Sequence, residues 1–283
     1  MKKDCYIADK NVQGFVAWLS SNLESDAFKH SYWNREKREV WSCSSLSDAW
    51  KKYEWVFLKV DRLGVKRGRS YADNECALRT IKDSLICALK SGSDSATRDA
   101  AIDVMTWGGV RGGNVNWLTK NEKGLADLLL STQDALDQAD TKEAERLGSN
   151  IRFNAGMTKI YSLICKNFVI YDSRVAATLG WGVVKYCEQN SLEEIPKELC
   201  FPHAPFRGGM HKRDASVNSK KFPILRRGQH HMQWNLKASW LLESVLKHEN
   251  VKGTEVFEHG QSPLRALEAA LFMIGYDLCQ AKK

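Results

Sequence analysis

Lys159 stands near the start of a short apolar run, Ile160-Tyr161-Ser162-Leu163, and thirteen residues later Asp172 lies within Ile170-Tyr171-Asp172-Ser173-Arg174-Val175. An amine can attack a carbonyl or meet an anion, and a carboxylate can stabilise positive charge or cap a helix. The turn around Gly156 in Phe153-Asn154-Ala155-Gly156-Met157-Thr158-Lys159 opens a helix. Its first-turn amides, which have no intrahelical partners, suit a phosphate and read no sequence. Asp172 falls where the next helix begins, and on spacing alone it is the N-cap of the helix carrying Val175, Ala176, Leu179 and Val183.

The charge of the chain narrows the partner. Its 283 residues carry a net charge of +8. Between Pro205 and Lys237 the basic residues Arg207, Lys212, Arg213, Lys220, Lys221, Arg226, Arg227 and Lys237 face Asp214 alone, so +7 of that total lies in one segment, 205–237. Gly208-Gly209 and Ser216 to Ser219 mark it as loop. Two readings stand: a solvated surface loop, or an arm that tracks phosphates by releasing their counterions. Beside the lysine and aspartate, the second reading suggests double-stranded DNA with chemistry at a base.

Helical elements must position these residues. Val12, Phe15, Val16, Leu19 and Leu23 trace one apolar face, and Leu78, Ile81, Leu85, Ile86 and Leu89 trace another. Trp50, Phe57 and Leu58 mark a helix after Ser47, and further helices are predicted near 95–105, 124–139, 157–166, 173–190 and 234–248. The last helix has Ser262 as N-cap, Pro263 at its first position, and a stripe of Leu264, Leu267, Leu271, Ile274 and Leu278. Only Phe168 to Tyr171 looks extended, too little for a sheet, so an all-α fold is expected. Trp107 to Trp117, Gly148 to Gly156 and the basic segment read as loops, where a site is to be sought. A division near 91–95 would give an N-terminal helical part, 1–92, and a second part, 93–283, unless the chain is one compact domain.

No apolar run approaches the roughly 20 residues that cross a bilayer, so a soluble, cytoplasmic protein with neither a membrane nor an obligate protein partner is expected. The eight cysteines contain no Cys-x-x-Cys pair, so neither a zinc ribbon nor an iron–sulfur cluster is encoded. His203, His211 and the pair His230-His231 are ligands on paper only, lacking a His-Glu-x-x-His motif. No metal and no cofactor are expected.

Ala155-Gly156-Met157-Thr158-Lys159 resembles the hairpin of the helix-hairpin-helix DNA glycosylases, and Tyr171-Asp172-Ser173-Arg174 resembles the aspartate motif that follows it. Ala155 and Met157 stand where the hairpin has glycines, and the interval from lysine to aspartate is five or six residues shorter than usual. With Ala238-Ser239-Trp240-Leu241-Leu242-Glu243 and the run from Pro263 to Gly275, the chain is similar to a bacterial group with an 8-oxoguanine-glycosylase-like fold. The resemblance implies two helical lobes around a DNA-binding cleft. It also implies a monofunctional glycosylase that flips out and excises a modified base, α-glucosylated 5-hydroxymethylcytosine in phage DNA, as antiphage defence.

In that reading Asp172, ionised, stabilises charge on the deoxyribose or orients water. Lys159 is either a Schiff-base nucleophile or a phosphate contact. Gly156, Thr158, Arg174, Arg111 and Asn114 join the basic segment in contacting DNA. Trp107 and Trp117 form a stacking wall or, equally, a core turn, while Gln229, His230, His231 and Trp234 would line the base pocket. Two other functions remain open: housekeeping repair of oxidised or alkylated bases, and a non-catalytic DNA-binding module in which Asp172 is only a cap.

Overall fold

The computed structural model describes residues 1–110, 112–148, 151–204, 211–251, 257 and 262–281. In chain order the elements begin with α1 (Lys3–Ile7), α2 (Lys10–Ser21), β1 (His30–Asn34), β2 (Glu39–Cys43), α3 (Leu46–Lys51), β3 (Glu54–Phe57) and β4 (Gly68–Ser70). Then come α4 (Tyr71–Lys90), α5 (Asp94–Trp107), α6 (Gly113–Lys120), α7 (Leu125–Asp137), α8 (Thr141–Glu145) and α9 (Thr158–Ile164). The last three are α10 (Ser173–Gln189), α11 (Gln229–Lys247) and α12 (Pro263–Ile274). The fold is predominantly helical. Among the described residues no helix is long and apolar enough to cross a membrane.

The chain forms two compact units, one of Met1–Tyr53, Val169–Arg226 and Gln233–Lys283, the other of Glu54–Phe168 and Arg227–Met232. In the first, Asp9 caps α2 by accepting from the amides of Asn11 and Val12, and the helix buries Val12, Phe15, Val16 and Leu19. Each such side chain contributes about 2 kcal/mol by leaving water. α12 packs against both α3 and α10. Its approach to α10 is close: the Thr178 hydroxyl donates to the Leu271 carbonyl at 2.7 Å, and a Cβ at Gly275 would run into the Arg174 carbonyl. In the second unit a Ser70–Asp73 capping box starts α4, which packs on α5 and α7. Both α4 and α5 lie in this unit, on either side of residues 91–95.

Two strand pairs depart from the all-α expectation. β1 and β2 are antiparallel, with Tyr32 opposite Trp41 and their rings stacked at 4.8 Å. β3 pairs antiparallel with β4, so Trp50 ends a short helix and Phe57 belongs to a strand instead of continuing that helix. The stretch read as a loop from Trp107 to Trp117 contains α6. Leu278 lies beyond α12, which stops at Gly275. Phe168 to Tyr171 is buried and belongs to no sheet.

Candidate functional site

Asp172 owes its position to buried polar groups that hold the backbone before it. In the first unit Val169 donates its amide to the Ser239 hydroxyl at 3.1 Å and accepts from the Asn235 carboxamide at 2.8 Å. The Ile170 amide donates to Glu268 Oε2 at 2.6 Å, while Arg265 neutralises Oε1 at 2.5 Å. Tyr171 donates its hydroxyl to the Pro202 carbonyl at 2.8 Å. The backbone amides of Val169 and Ile170 and the Val169 carbonyl all have partners, so their desolvation is compensated and the segment is fixed.

At the end of this segment Asp172 caps α10. Its Oδ1 accepts from the amides of Arg174 at 2.8 Å and Val175 at 3.0 Å. Among the described residues no protein group donates to Oδ2. Asp172 is half-buried, and a carboxylate at a helix N-terminus gains from the positive end of the dipole.

Two arginines flank it. Arg174 lies over the rings of Phe272 and Tyr276, 4.2 and 4.9 Å from their centroids. Arg213 is buried, donating to Ser173 Oγ at 2.6 Å and to the Tyr276 carbonyl at 3.3 Å. Burial, and then the neighbouring Arg174, pulls the Arg213 guanidinium down to about 10, which leaves it charged at neutral pH. The sequence marked Arg213 as a DNA contact in an exposed arm; the structure places it inside the unit, braced behind Asp172.

The hairpin sequence lies in the second unit, and there the outcome is different. Asn154 Oδ1 accepts from the amides of Gly156 at 2.9 Å and Met157 at 3.2 Å, and from the Asn114 carboxamide at 2.9 Å. The Thr158 amide donates to the Asn154 carbonyl and the Lys159 amide to the Gly156 carbonyl. The first-turn donors expected to receive a phosphate are therefore occupied by the chain itself. Gly156 is required for a different reason: a Cβ there would collide with the Asn114 side chain. Thr158 is fully buried and donates to the Ala155 carbonyl at 2.9 Å, so its hydroxyl faces no ligand.

Lys159 lays its stem across Gly108, where a Cβ would lie 2.5 Å from Cδ, and brings its ammonium to 5.9 Å from the Trp107 ring centroid. Trp107 is 3 % exposed and donates its indole N–H to Asn74 at 2.9 Å, which makes it core and not a stacking wall. Asn114, expected as a DNA contact, is buried in the asparagine pair.

Arg152, which no motif singled out, completes this cluster. It donates Nε to Asn114 Oδ1 at 2.7 Å and Nη2 to the Gly113 carbonyl at 3.1 Å, with its guanidinium 5.8 Å from the half-buried Trp117 ring. Such clamping leaves Nη1 without a partner among the described residues and pre-organises the fork for an anion. A hint lay in the asparagine two residues before a glycine, a turn pattern in which the side chain bonds the backbone ahead of it.

The remaining sequence candidates scatter. Lys212, Lys221, Arg226 and Arg227 are exposed, and Lys220 is half-buried near the Glu193 carbonyl. Gln229 is exposed and donates to the Glu145 carbonyl, His230 is half-buried, and buried His231 sits 5.5 Å from the Phe153 ring. Trp234 packs edge-on to Phe201, and Lys237 brings its ammonium 4.3 Å from the Trp234 ring. Gln229, His230 and His231 belong to the second unit and Trp234 to the first. Arg111 and Arg207 lie outside the described residues. Among the described residues no cluster of three or more His, Cys, Asp and Glu side chains could hold a metal ion.

Compared with protein-family models, with curated proteins and with solved structures, the chain matches none.

Proposed function

We propose that this chain is a DNA glycosylase that hydrolyses the N-glycosidic bond of a flipped-out modified base and leaves an abasic site. The substrate proposed is α-glucosylated 5-hydroxymethylcytosine in phage DNA. The observation that carries the reading is the carboxylate of Asp172, held by one oxygen on the α10 amides while the other stays outside the cap bonds. A charge fixed in this way needs no reorganisation when positive charge develops on the deoxyribose, and preorganised charge of this kind is a large catalytic term.

In the proposed reaction the bond from C1′ to the base nitrogen breaks, and its electron pair leaves with the base. Water adds to C1′ as its proton passes to Asp172 and then to the departing base, which leaves a C1′ hydroxyl and a free base N–H. Arg174 and Arg213 place positive charge beside Asp172. Exposed Lys212, Lys221, Arg226 and Arg227 meet phosphates. Lys159 serves as a cation beside Trp107 and not as a nucleophile.

The test is excision on duplexes carrying glucosylated hydroxymethylcytosine, plain hydroxymethylcytosine or 8-oxoguanine, with abasic sites scored for wild type and Asp172→Asn. Asparagine keeps an acceptor for the two α10 amides and removes only the charge. Near-full excision by Asp172→Asn would sink the catalytic assignment. Salt-dependent binding with no abasic product on any duplex would leave a DNA-binding module.

A further inference from the structure

A second site lies at the far end of α10, independent of the glycosylase reading. Tyr186 is fourteen residues beyond Asp172 on this helix, about 21 Å at 1.5 Å per residue. There a cavity of about 950 Å³, wholly within the first unit, opens between α2, α10 and the end of α11. That volume is at the upper end of the roughly 300–1,000 Å³ of small-molecule sites.

The charged groups of its lining are cationic. Lys10, Lys247 and His248 line it, and no carboxylate does. Lys247 donates to Glu243 Oε1 at 2.5 Å, but Lys3 already pairs with that same carboxylate, so the two ammonium groups outweigh it. Lys10 has no partner among the described residues.

The Tyr186 hydroxyl opens onto the cavity. Tyr186 is 8 % exposed, yet among the described residues its hydroxyl makes no hydrogen bond. Gly14 makes room for it: a Cβ there would collide with the phenol oxygen. Burial pushes the phenol up, so it faces the cavity as a neutral O–H able both to donate and to accept. A ligand oxygen can take up this hydroxyl in place of solvent. Asn11 and Gln13 add carboxamides, whose paired donor and acceptor match the edge of a base, and Val16 and Leu192 provide an apolar floor.

We infer that this cavity binds a phosphate monoester carrying a nucleoside-sized body, its phosphate on Lys10, Lys247 and His248 and its sugar or base edge on Tyr186 and the carboxamides. A cation would be repelled, and a purely apolar ligand would leave the phenol and amides unpaired. Inorganic phosphate alone would leave most of the volume unused.

The full chain is titrated with adenosine 5′-monophosphate and deoxycytidine 5′-monophosphate by calorimetry, with adenosine and inorganic phosphate as comparison ligands. Saturable binding of at least one nucleotide is expected, weakened at least about tenfold in Lys10→Ala/Lys247→Ala and about three- to tenfold in Tyr186→Phe, which retains the ring. Asp172→Asn should bind as wild type does, so loss of excision and loss of this site are read separately. The inference is overturned if neither nucleotide saturates by about 5 mM, if Tyr186→Phe and the lysine pair leave affinity unchanged, or if phosphate or adenosine alone binds as tightly.

Discussion

The starts of α9 and α10 set two solutions to one problem side by side. Each start has a side chain that takes up two backbone donors, in the turn leading into α9 and in the first turn of α10. At α9 the acceptor is Asn154, a neutral group whose oxygen also holds Asn114, and the result is a closed polar knot. At α10 the acceptor is Asp172, which uses one oxygen for the same task and keeps its charge and its second oxygen. A neutral cap completes a structure, whereas a charged cap completes it and leaves something over. The position that looked built for an anion is thus the one already filled, and the one that looked like a mere cap retains chemical capacity.

Breaking this contrast should give effects of descending size. Asp172→Asn, which gives α10 a neutral acceptor like Asn154, should slow excision about 10²- to 10³-fold while the melting temperature stays within about 1 °C. Gly156→Ala and Asn154→Ala attack the α9 knot. Each should lower the unfolding free energy by about 2 kcal/mol in denaturant titrations, the first by forcing Asn114 aside and the second by stranding three donors. Asp172→Ala, which strands two amides at a partly exposed helix end, should cost about 1 kcal/mol on top of its loss of activity.

A smaller effect separates the surroundings by pH. In the unit that holds α10, His30 is 2 % exposed and donates Nε2–H to the Asp277 carbonyl at 2.7 Å. Burial, outweighing the bond to Asp277, lowers its pKa below 6.5. A folded-state pKa below the unfolded one means stability that is fully present above pH 6.5 and is lost as pH falls from there through the folded value. Denaturant midpoints should therefore drop between about pH 7 and pH 5, and His30→Gln should flatten that part of the profile. The smallest effect belongs to Arg152: Arg152→Ala should reduce the slope of log affinity against log salt by about one for any duplex, with no change in base preference.

How far the sequence reveals this molecule depends on the range of the forces involved. The apolar stripes of α2, α4 and α12 and the Ser262-Pro263 start of α12 repeat over several turns, so local pattern and structure agree. The β1–β2 pair is five residues a side, and half of its alternation is spoiled by Trp33 and Val40, which face each other and are 50 % and 53 % exposed. α6 hides behind glycines, because Gly112 begins it at a φ of 73° and Gly113 is its first residue. Asp172 as a cap was readable from one residue and its neighbours. The polar knot in the turn before α9 was not, since it pairs Asn154 with Asn114, forty residues earlier in the chain. Nor was the fate of Arg213, whose burial rests on contacts with Ser173 and Tyr276 and not on the composition of its own segment.

The carboxylate of Glu268 that receives the Ile170 amide lies ninety-eight residues further along the chain. During synthesis, then, the residue proposed to do the chemistry is translated long before the group that fixes its backbone. A nascent chain released or stalled before α12 would carry Asp172 on an untethered segment, with the Ile170 amide open to water and α10 lacking the helix it packs against. The fixed geometry of Asp172 therefore depends on α12 and is complete only once that helix has packed against α10.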